Sequence, residues 1–317
     1  MKFKVGIIGC GKIGLLNDYD KPKKKITYFS NLLKNRYFNL IAVTDINSKK
    51  LALVRTKSKK IKLYKNYKDM LLENTFDLII VSTPTKSHYS IYKNLSNYNN
   101  VKIVIAEKPF LLDTKRYKKI DKIFKKKNII ISVNYSRKFN SSYFIIKKLL
   151  KKINLQIGEV IVNRGLYNNS SHYIDLLIEL FGKITSIKNV NLRKSKLLKQ
   201  DFYGTFDLEF KNRIKIHFNI LEINNLSYER LSFFGKNDLL EIFNDNFYLY
   251  KIYMQKNSLS KLKNKFVQKI NYSDSIKNHL INIKNFLVKK TKLKSTGKNA
   301  FLTSKALKMI VKKNENK

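Results

Sequence analysis

The chain has 317 residues, 43% of them hydrophobic, enough for one large domain or two packed ones around a sizeable core. Its longest apolar runs, at 78–81, 103–106 and 129–131, fall far short of the roughly 20 residues that cross a bilayer, and its single cysteine cannot form an internal disulfide, which fits a reducing compartment. The formal net charge of +44 rests on lysines spread over the whole length, with abundant Asn, Ile, Tyr and Phe and no Trp, and reads as a solvated basic surface of biased composition; a nucleic-acid footprint concentrates its charge and favours Arg.

Residues 1–133 alternate short β-branched runs with helical stretches, the pattern of βαβ units around a parallel sheet. Strands are predicted at 3–8, 40–44, 77–82, 102–106 and 129–133, each almost continuously apolar, as strands buried on both faces are. Helices are predicted around 29–34, 67–73, 88–96 and 115–126. Lys2 and Lys4 ahead of the apolar stretch that ends at Cys10 imitate a signal peptide, but Lys12 interrupts a stretch that is too short and lacks a small-residue cleavage site, so a cytoplasmic protein is expected.

From 134 onward the pattern predicts a helix at 142–152, a strand at 159–163 and a helix at 172–181 that ends at Gly182 as a C-cap. Period-two alternation at 202–210, 214–220, 231–234 and 239–243 predicts a largely antiparallel sheet. The polar stretch 253–269 reads as a loop excursion. Helices near 274–288 and 300–311 close the pattern, and the lysine-rich end from Lys312 reads as a frayed tail. The expected fold is α/β: an N-terminal Rossmann domain with a doubly wound parallel sheet over 1–133, then an α+β domain over 134–317 with a large, mostly antiparallel open sheet. The C-terminal helix is free to pack back on the first domain.

Directly after the first strand stands Gly9-Cys10-Gly11-Lys12-Ile13-Gly14, and strand, GxGxxG and helix in that order are what a pyrophosphate requires. Gly9 permits the tight turn, Gly11 lets the backbone approach the phosphates, and Gly14 allows the helix to pack closely on the strand. Backbone N–H groups of the turn and the positive helix end bind the anion. Asp45, just past the second strand, can accept hydrogen bonds from the adenosine ribose and would repel a 2′-phosphate, which favours NAD, while Lys49 and Lys50 leave NADP open. Asp45 lies 31 residues beyond Gly14 instead of the usual ~20. Residues 15–25, with Asn17, Asp18, Asp20, Pro22 and three consecutive lysines, read as an insertion that postpones the helix. The plainer alternative makes Asp45 a turn residue before Asn47.

Ser82-Thr83-Pro84-Thr85 and Glu107-Lys108-Pro109 follow later strands, at the carboxyl edge where a doubly wound sheet binds its ligand. Taken with GCGKIG at Gly9, STPTKSH from Ser82 to His88, AEKPF from Ala106 to Phe110, NYSRKF from Asn134 to Phe139 and GLYNNSSHYIDLLIELFG from Gly165 to Gly182, the chain resembles the glucose-fructose oxidoreductase, inositol dehydrogenase and MocA family over most of its length. The resemblance implies an NAD(P)-dependent dehydrogenase or reductase acting on a CH–OH group of a sugar or nucleotide-sugar, with surface polysaccharide synthesis as one setting. It implies that Lys108 reaches both nicotinamide and substrate hydroxyl, that Glu107 orients it, and that Ser82, Thr83, Pro84 and His88 join the glycine turn, including Lys12 and Ile13, around the cofactor.

His172 matches the family's catalytic histidine, whose imidazole titrates near neutrality and can take the hydroxyl proton as hydride leaves the same carbon. Asp175, three residues later on the same helical face, holds that imidazole or satisfies the helix start. Tyr167, Asn168, Asn169 and Arg137 fall on the substrate side, with an interdomain salt bridge as the other reading of Arg137. Asn168 stands where many members carry Asp; an amide can bind a sugar hydroxyl but cannot raise the histidine's basicity. The alternative function is therefore an NAD(H)-binding sensor or accessory protein that has lost chemistry, and a third is a basic nucleic-acid binder. No metal is assigned, and no membrane or specific nucleic-acid partner. The resemblance also implies a homo-oligomer, dimer or tetramer, packed through the open sheet against the self-repulsion of the charge.

Overall fold

The computed structural model describes residues 2–21, 24–98, 101–243, 245–255 and 258–316. Two compact units account for them, Met1–Phe139 with Ser273–Phe301, and Asn140–Tyr272 with Leu302–Lys317. The sequence suggests one division after residue 133; the first unit instead runs to Phe139 and takes back a later stretch of chain.

In chain order the elements are β1 (Phe3–Ile8), α1 (Tyr28–Leu32), β2 (Phe38–Thr44), α2 (Ser48–Lys57), β3 (Lys62–Tyr64), α3 (Tyr67–Glu73), β4 (Phe76–Val81), α4 (Thr85–Leu95), β5 (Val101–Ala106), α5 (Thr114–Lys126), β6 (Ile130–Val133), α6 (Ser141–Lys152), β7 (Leu155–Asn163) and α7 (Ser171–Phe181). There follow β8 (Ile184–Lys194), β9 (Phe202–Phe210), β10 (Lys215–Leu221), β11 (Glu229–Gly235), β12 (Asp238–Phe243), β13 (Asn246–Gln255), β14 (Ser258–Lys269), α8 (Ser275–Leu287) and α9 (Gly297–Glu315).

The first unit is a six-stranded sheet in the order β3-β2-β1-β4-β5-β6, parallel throughout. Successive residues of its strands enter opposite cores: Leu78, Ile80, Ile103 and Ile105 join Phe29, Leu51, Ile276, Leu280 and Ile283 on one face. Ile79, Val81, Val104 and Ala106 join Met70, Tyr92, Ile120 and Phe124 on the other. Burial on both faces is why these strands read as unbroken apolar runs, and each large side chain so buried contributes about 1.5–3 kcal/mol. The chain order reverses at β1, between β2 and β4, so the loops at the carboxyl ends of β1 and β4 open a crevice there.

The second unit holds an eight-stranded sheet, β14-β13-β12-β11-β7-β10-β9-β8, antiparallel except where β7 runs beside β10. Gly182 closes α7 with φ of 81°, the C-cap its position predicts.

Two expectations are overturned here. Among the described residues of the stretch 253–269, 253–255 and 258–269 are strand and not loop: β13 and β14 pair antiparallel, with Lys251 opposite Lys263 and Tyr253 opposite Lys261. Such strands lie at the rim of the sheet, where lysine is tolerated and discourages pairing with another chain. The end beyond Lys312 is not frayed either. Helix α9 continues to Glu315, and the Asn314 amide accepts from Leu192 N at 2.7 Å and donates to Leu192 O at 3.0 Å, pairing both backbone groups of the edge strand β8 as a neighbouring strand would.

Candidate functional site

In the first unit the loops at the carboxyl edge stand side by side, because each strand's pairing extends one residue past its end. Gly9 N donates to Thr44 O (2.8 Å), Ser82 N to Ile8 O (2.9 Å), Glu107 N to Val81 O (3.2 Å) and Asn134 N to Ala106 O (2.9 Å). Gly9 has φ of +101°, and a Cβ there would press within 2.9 Å of Thr83 Cγ2 and 3.0 Å of the Ser82 carbonyl. A Cβ on Gly14 would drive into the Gly9 carbonyl and Ser82 Oγ. Gly11 differs: the nearest atom to its Cβ would be Ser82 O, at an unstrained 3.5 Å.

The insertion is real and its construction is visible. After the glycines the chain makes one turn, with Leu15 N bonded to Gly11 O (2.9 Å) and Asn17 N to Lys12 O (2.9 Å), then leaves. It returns at α1, where Tyr28 N bonds to Ile13 O and Phe29 N to Gly14 O, both at 3.0 Å, so two separated stretches share one helical ladder. The buried Asp18 carboxylate fastens the re-entry by accepting from Ile26 N (2.6 Å), Thr27 N (2.9 Å), Thr27 Oγ1 (2.7 Å) and Ser30 Oγ (2.6 Å).

Asp45 faces the glycine turn: its Oδ2 accepts from Cys10 N at 2.7 Å and lies 3.6 Å from Lys50 Nζ, and its Oδ1 accepts from Asn47 N at 2.9 Å. The turn reading of this residue holds at Asn47, and the same carboxylate also abuts the glycine turn. A carboxylate has lone pairs to spare for a further donor. Ser82 and His88 serve the loop from below. Ser82 Oγ donates to Gly9 O (2.6 Å). The His88 ring is fully buried with Nε2 donating to Thr83 O (2.9 Å), and burial holds its pKa down to about 4, so it is a neutral anchor whose influence on a ligand runs through the Thr83 backbone. Thr83 Oγ1 accepts from Ser87 Oγ (2.8 Å), and Pro84 is the N-cap of α4.

At the end of β5, Glu107 and Lys108 are half-buried and the Lys108–Pro109 peptide is cis. Asn134 Nδ2 donates to Glu107 Oε1 at 2.7 Å. Burial pushes the Glu107 carboxyl up to about 7, against the pull of Asn134 and the Lys108 ammonium. Tyr28 and Tyr92, fully buried, have hydroxyls pushed well above their usual range by burial and then by the Glu107 charge. Arg137 lies in the short turn Ser136–Lys138 beyond β6.

The remaining expected residues lie in the second unit. The segment Gly165–Ser170 forms a single π-helical turn leading straight into α7, an arrangement frequent at functional sites. Arg164 (φ 69°) and Gly165 (φ 81°) set its left-handed entry. Tyr167 is half-buried, Asn168 is exposed, and Asn169 donates to Asn163 O at 3.1 Å. His172 is half-buried in the first turn of α7. Asp175 is buried, with Thr303 Oγ1 of α9 donating to its Oδ1 at 3.0 Å, so part of this carboxylate is spent on packing α9.

Residues 3–135 match the family model described as an oxidoreductase family with an NAD-binding Rossmann fold, Gfo/Idh/MocA. The match covers the first unit's sheet and leaves the second unit to the likeness of fold. It is 25% identical over 181 residues to an uncharacterised oxidoreductase of Schizosaccharomyces pombe, a match that covers 50% of this chain and 46% of the relative, so the chain spans about half the length of that curated relative. The oxidoreductase YvaA of Bacillus subtilis superposes with a TM-score of 0.81 at 16% identity, covering 100% of this chain and 97% of that one. The WlbA dehydrogenase of Bordetella pertussis, solved with NADH and UDP-GlcNAcA, superposes with a TM-score of 0.75 at 16% identity, covering 99% and 96%. At such identities the likeness is one of fold.

NAD, the cofactor named by the matching family model, fits the residues present. No packing contact accounts for a glycine at position 11, whereas a backbone approached closely by a ligand does. Asn134 Oδ1 and the Tyr92 hydroxyl are buried polar atoms with no hydrogen-bond partner among the described residues, near the carboxyl edge of the sheet. Sequence reasoning missed Asp18 as the fastener of the insertion and Asp201, whose carboxylate holds the backbone of Tyr167 and Asn168. Neither sits in a motif; an acidic residue in a stretch so rich in lysine was the one available signal.

Proposed function

We propose that the protein is an NAD-dependent dehydrogenase or reductase acting on a hydroxyl-bearing carbon of a sugar or nucleotide-sugar. The observation that carries the reading is the row across the carboxyl edge: a glycine turn open at Gly11, Asp45 seated against it, and Lys108 at the end of β5. Bound NAD supplies the acceptor or donor of a hydride. The glycine turn and Asp45 hold its diphosphate and ribose, and Thr83, Pro84 and Glu107 line its path, with Ser82 and His88 fixing that lining. Lys108 stabilises negative charge on the substrate oxygen, and Glu107 and Asn134 fix the loop that carries it. His172 takes the hydroxyl proton in oxidation and returns it in reduction. Asn168 and Asn169 bind substrate hydroxyls with Tyr167 beside them, Asp175 steadies the helix, and Arg137 suits an anionic group of the substrate. The reading extends to a cytoplasmic homo-oligomer; no helix among the described residues is long and apolar enough to cross a membrane.

The test is Lys108→Ala assayed with a panel of sugars and nucleotide-sugars. kcat/KM is expected to fall at least about 100-fold while the NADH dissociation constant, read by fluorescence titration, stays within about twofold. Turnover at the wild-type rate would overturn the assignment. The exposed Asn168, in place of an acidic residue, favours a second reading as an NADH-binding sensor, and tight NADH binding without turnover over the whole panel would select it.

A further inference from the structure

We propose that Asp201 is the positioning residue of the substrate loop, fixing the backbone from which Asn168, Asn169 and His172 project; the role rests on the proposed function of that loop. The Asp201 carboxylate accepts from Tyr167 N at 2.8 Å and Phe202 N at 2.8 Å through Oδ1, and from Asn168 N at 3.0 Å through Oδ2. Three N–H donors converging on two oxygens call for a group that only accepts, and an ionised one forms the stronger bonds. The residue is 6% exposed, so water does not compete for those lone pairs.

The amides it holds are in the turn that opens into α7, where a helix has N–H groups without internal partners and a positive pole. Asp201 thus caps the helix of His172 from more than thirty residues away in sequence. Fit from the other side is equally close: a Cβ on Gly165 would overlap the Asp201 carboxylate. The segment that delivers Asp201 is itself tied down. Ser195 N donates to Asp201 O (2.9 Å), Asp201 N to Leu198 O (3.0 Å), and Glu222 Oε1 accepts from Ser195 Oγ (2.6 Å) and Lys196 N (2.7 Å). Glu222 therefore fixes the segment, and the segment fixes Asp201. The aromatic side chain of Tyr167 meets Phe202 edge-on at 5.8 Å, which joins the loop to β9 by packing as well.

Asp201→Asn places an amide donor against N–H donors and removes the charge. The Tyr167 and Asn168 amides should then exchange with deuterium about 10- to 100-fold faster, while amides paired between β9 and β10 and the affinity for NADH stay at wild-type values. For an accepted sugar, KM should rise about tenfold and kcat change less. If Asp201→Asn does not fold, Glu222→Ala loosens the same segment one step away and should shift both readouts in the same direction by less. Wild-type exchange at the two amides in the folded variant overturns the proposal, and so does faster exchange with KM and kcat unchanged. A wild-type protein that binds NADH and turns over no sugar overturns the function proposed above, and the exchange data still decide whether Asp201 holds the loop.

Discussion

Glycines 9, 11 and 14 belong to one motif and answer to two different constraints. Gly9 and Gly14 are required by the protein, since a Cβ at either collides with Thr83, Ser82 or the Gly9 carbonyl. Gly11 meets nothing closer than 3.5 Å. Gly14→Ala should therefore cost stability, about 1–3 kcal/mol in urea denaturation. Gly11→Ala should melt with the wild type and bind NADH at least about tenfold more weakly. Equal melting and equal binding for Gly11→Ala would mean that no diphosphate approaches that backbone. The motif, Asp45 and the Glu107-Lys108-Pro109 tripeptide were all legible in the sequence because close backbone approach, charge and a strand end each demand a particular residue type. Asp201 was not legible: its partners are main-chain amides, which leave no trace in the identity of Tyr167 or Asn168.

At the level of elements, the first helix shows how a spacing rule survives an insertion. Residues 16–27 lie between two stretches joined by hydrogen bonds from Tyr28 and Phe29 to Ile13 and Gly14, with Asp18 as the fastener. Asp18→Ala leaves several buried donors unmet, so unfolding in urea should show a loss of about 2–4 kcal/mol; a loss below about 0.5 kcal/mol would show the insertion to be held elsewhere. The elements that sequence reading found are those with a strong pattern, the two-sided strands β1, β4 and β5 and the amphipathic α5 and α7. Those it passed over have reasons to be faint. β3 has three residues, none of them buried, and α2 buries little besides Leu51 and Val54. β8 and β14 border the sheet, where one side needs no partner strand and polar residues do not betray a strand.

For the whole molecule, the buried His88 and His279 and the half-buried Glu107 of the first unit set opposing slopes of stability with pH. Burial lowers His88 to about 4 and His279 to about 3, so each stabilises the fold above pH ~6.5 and withdraws that support as pH falls towards those values. Glu107, raised to about 7, acts the other way: its contribution is complete below its ordinary value near 4.5 and is lost as pH rises through 7. Between about pH 4.5 and 6.5 these groups make unfolding take up two protons and release one, so melting temperature should rise with pH. Glu107→Gln should steepen that rise, gaining on the wild type between about pH 4.5 and 7 and holding that gain above it; a variant whose melting curve runs parallel to the wild type from pH 4.5 to 8 would show that the carboxyl does not titrate there. The two sheets were foreseeable, because apolar runs and alternation are one-dimensional signals. The return of the chain to the first unit was open in the sequence only as an option for the C-terminal helix, since Ile276, Leu280 and Ile283 of α8 complete a core whose other members lie before Phe139, and nothing local records which sheet a helix covers. One consequence concerns dissection. No single cut releases the nucleotide half intact: a fragment ending at Phe139 would leave the strip beneath α8 wet and prone to clump, and a soluble half must be spliced from two stretches that translation makes far apart.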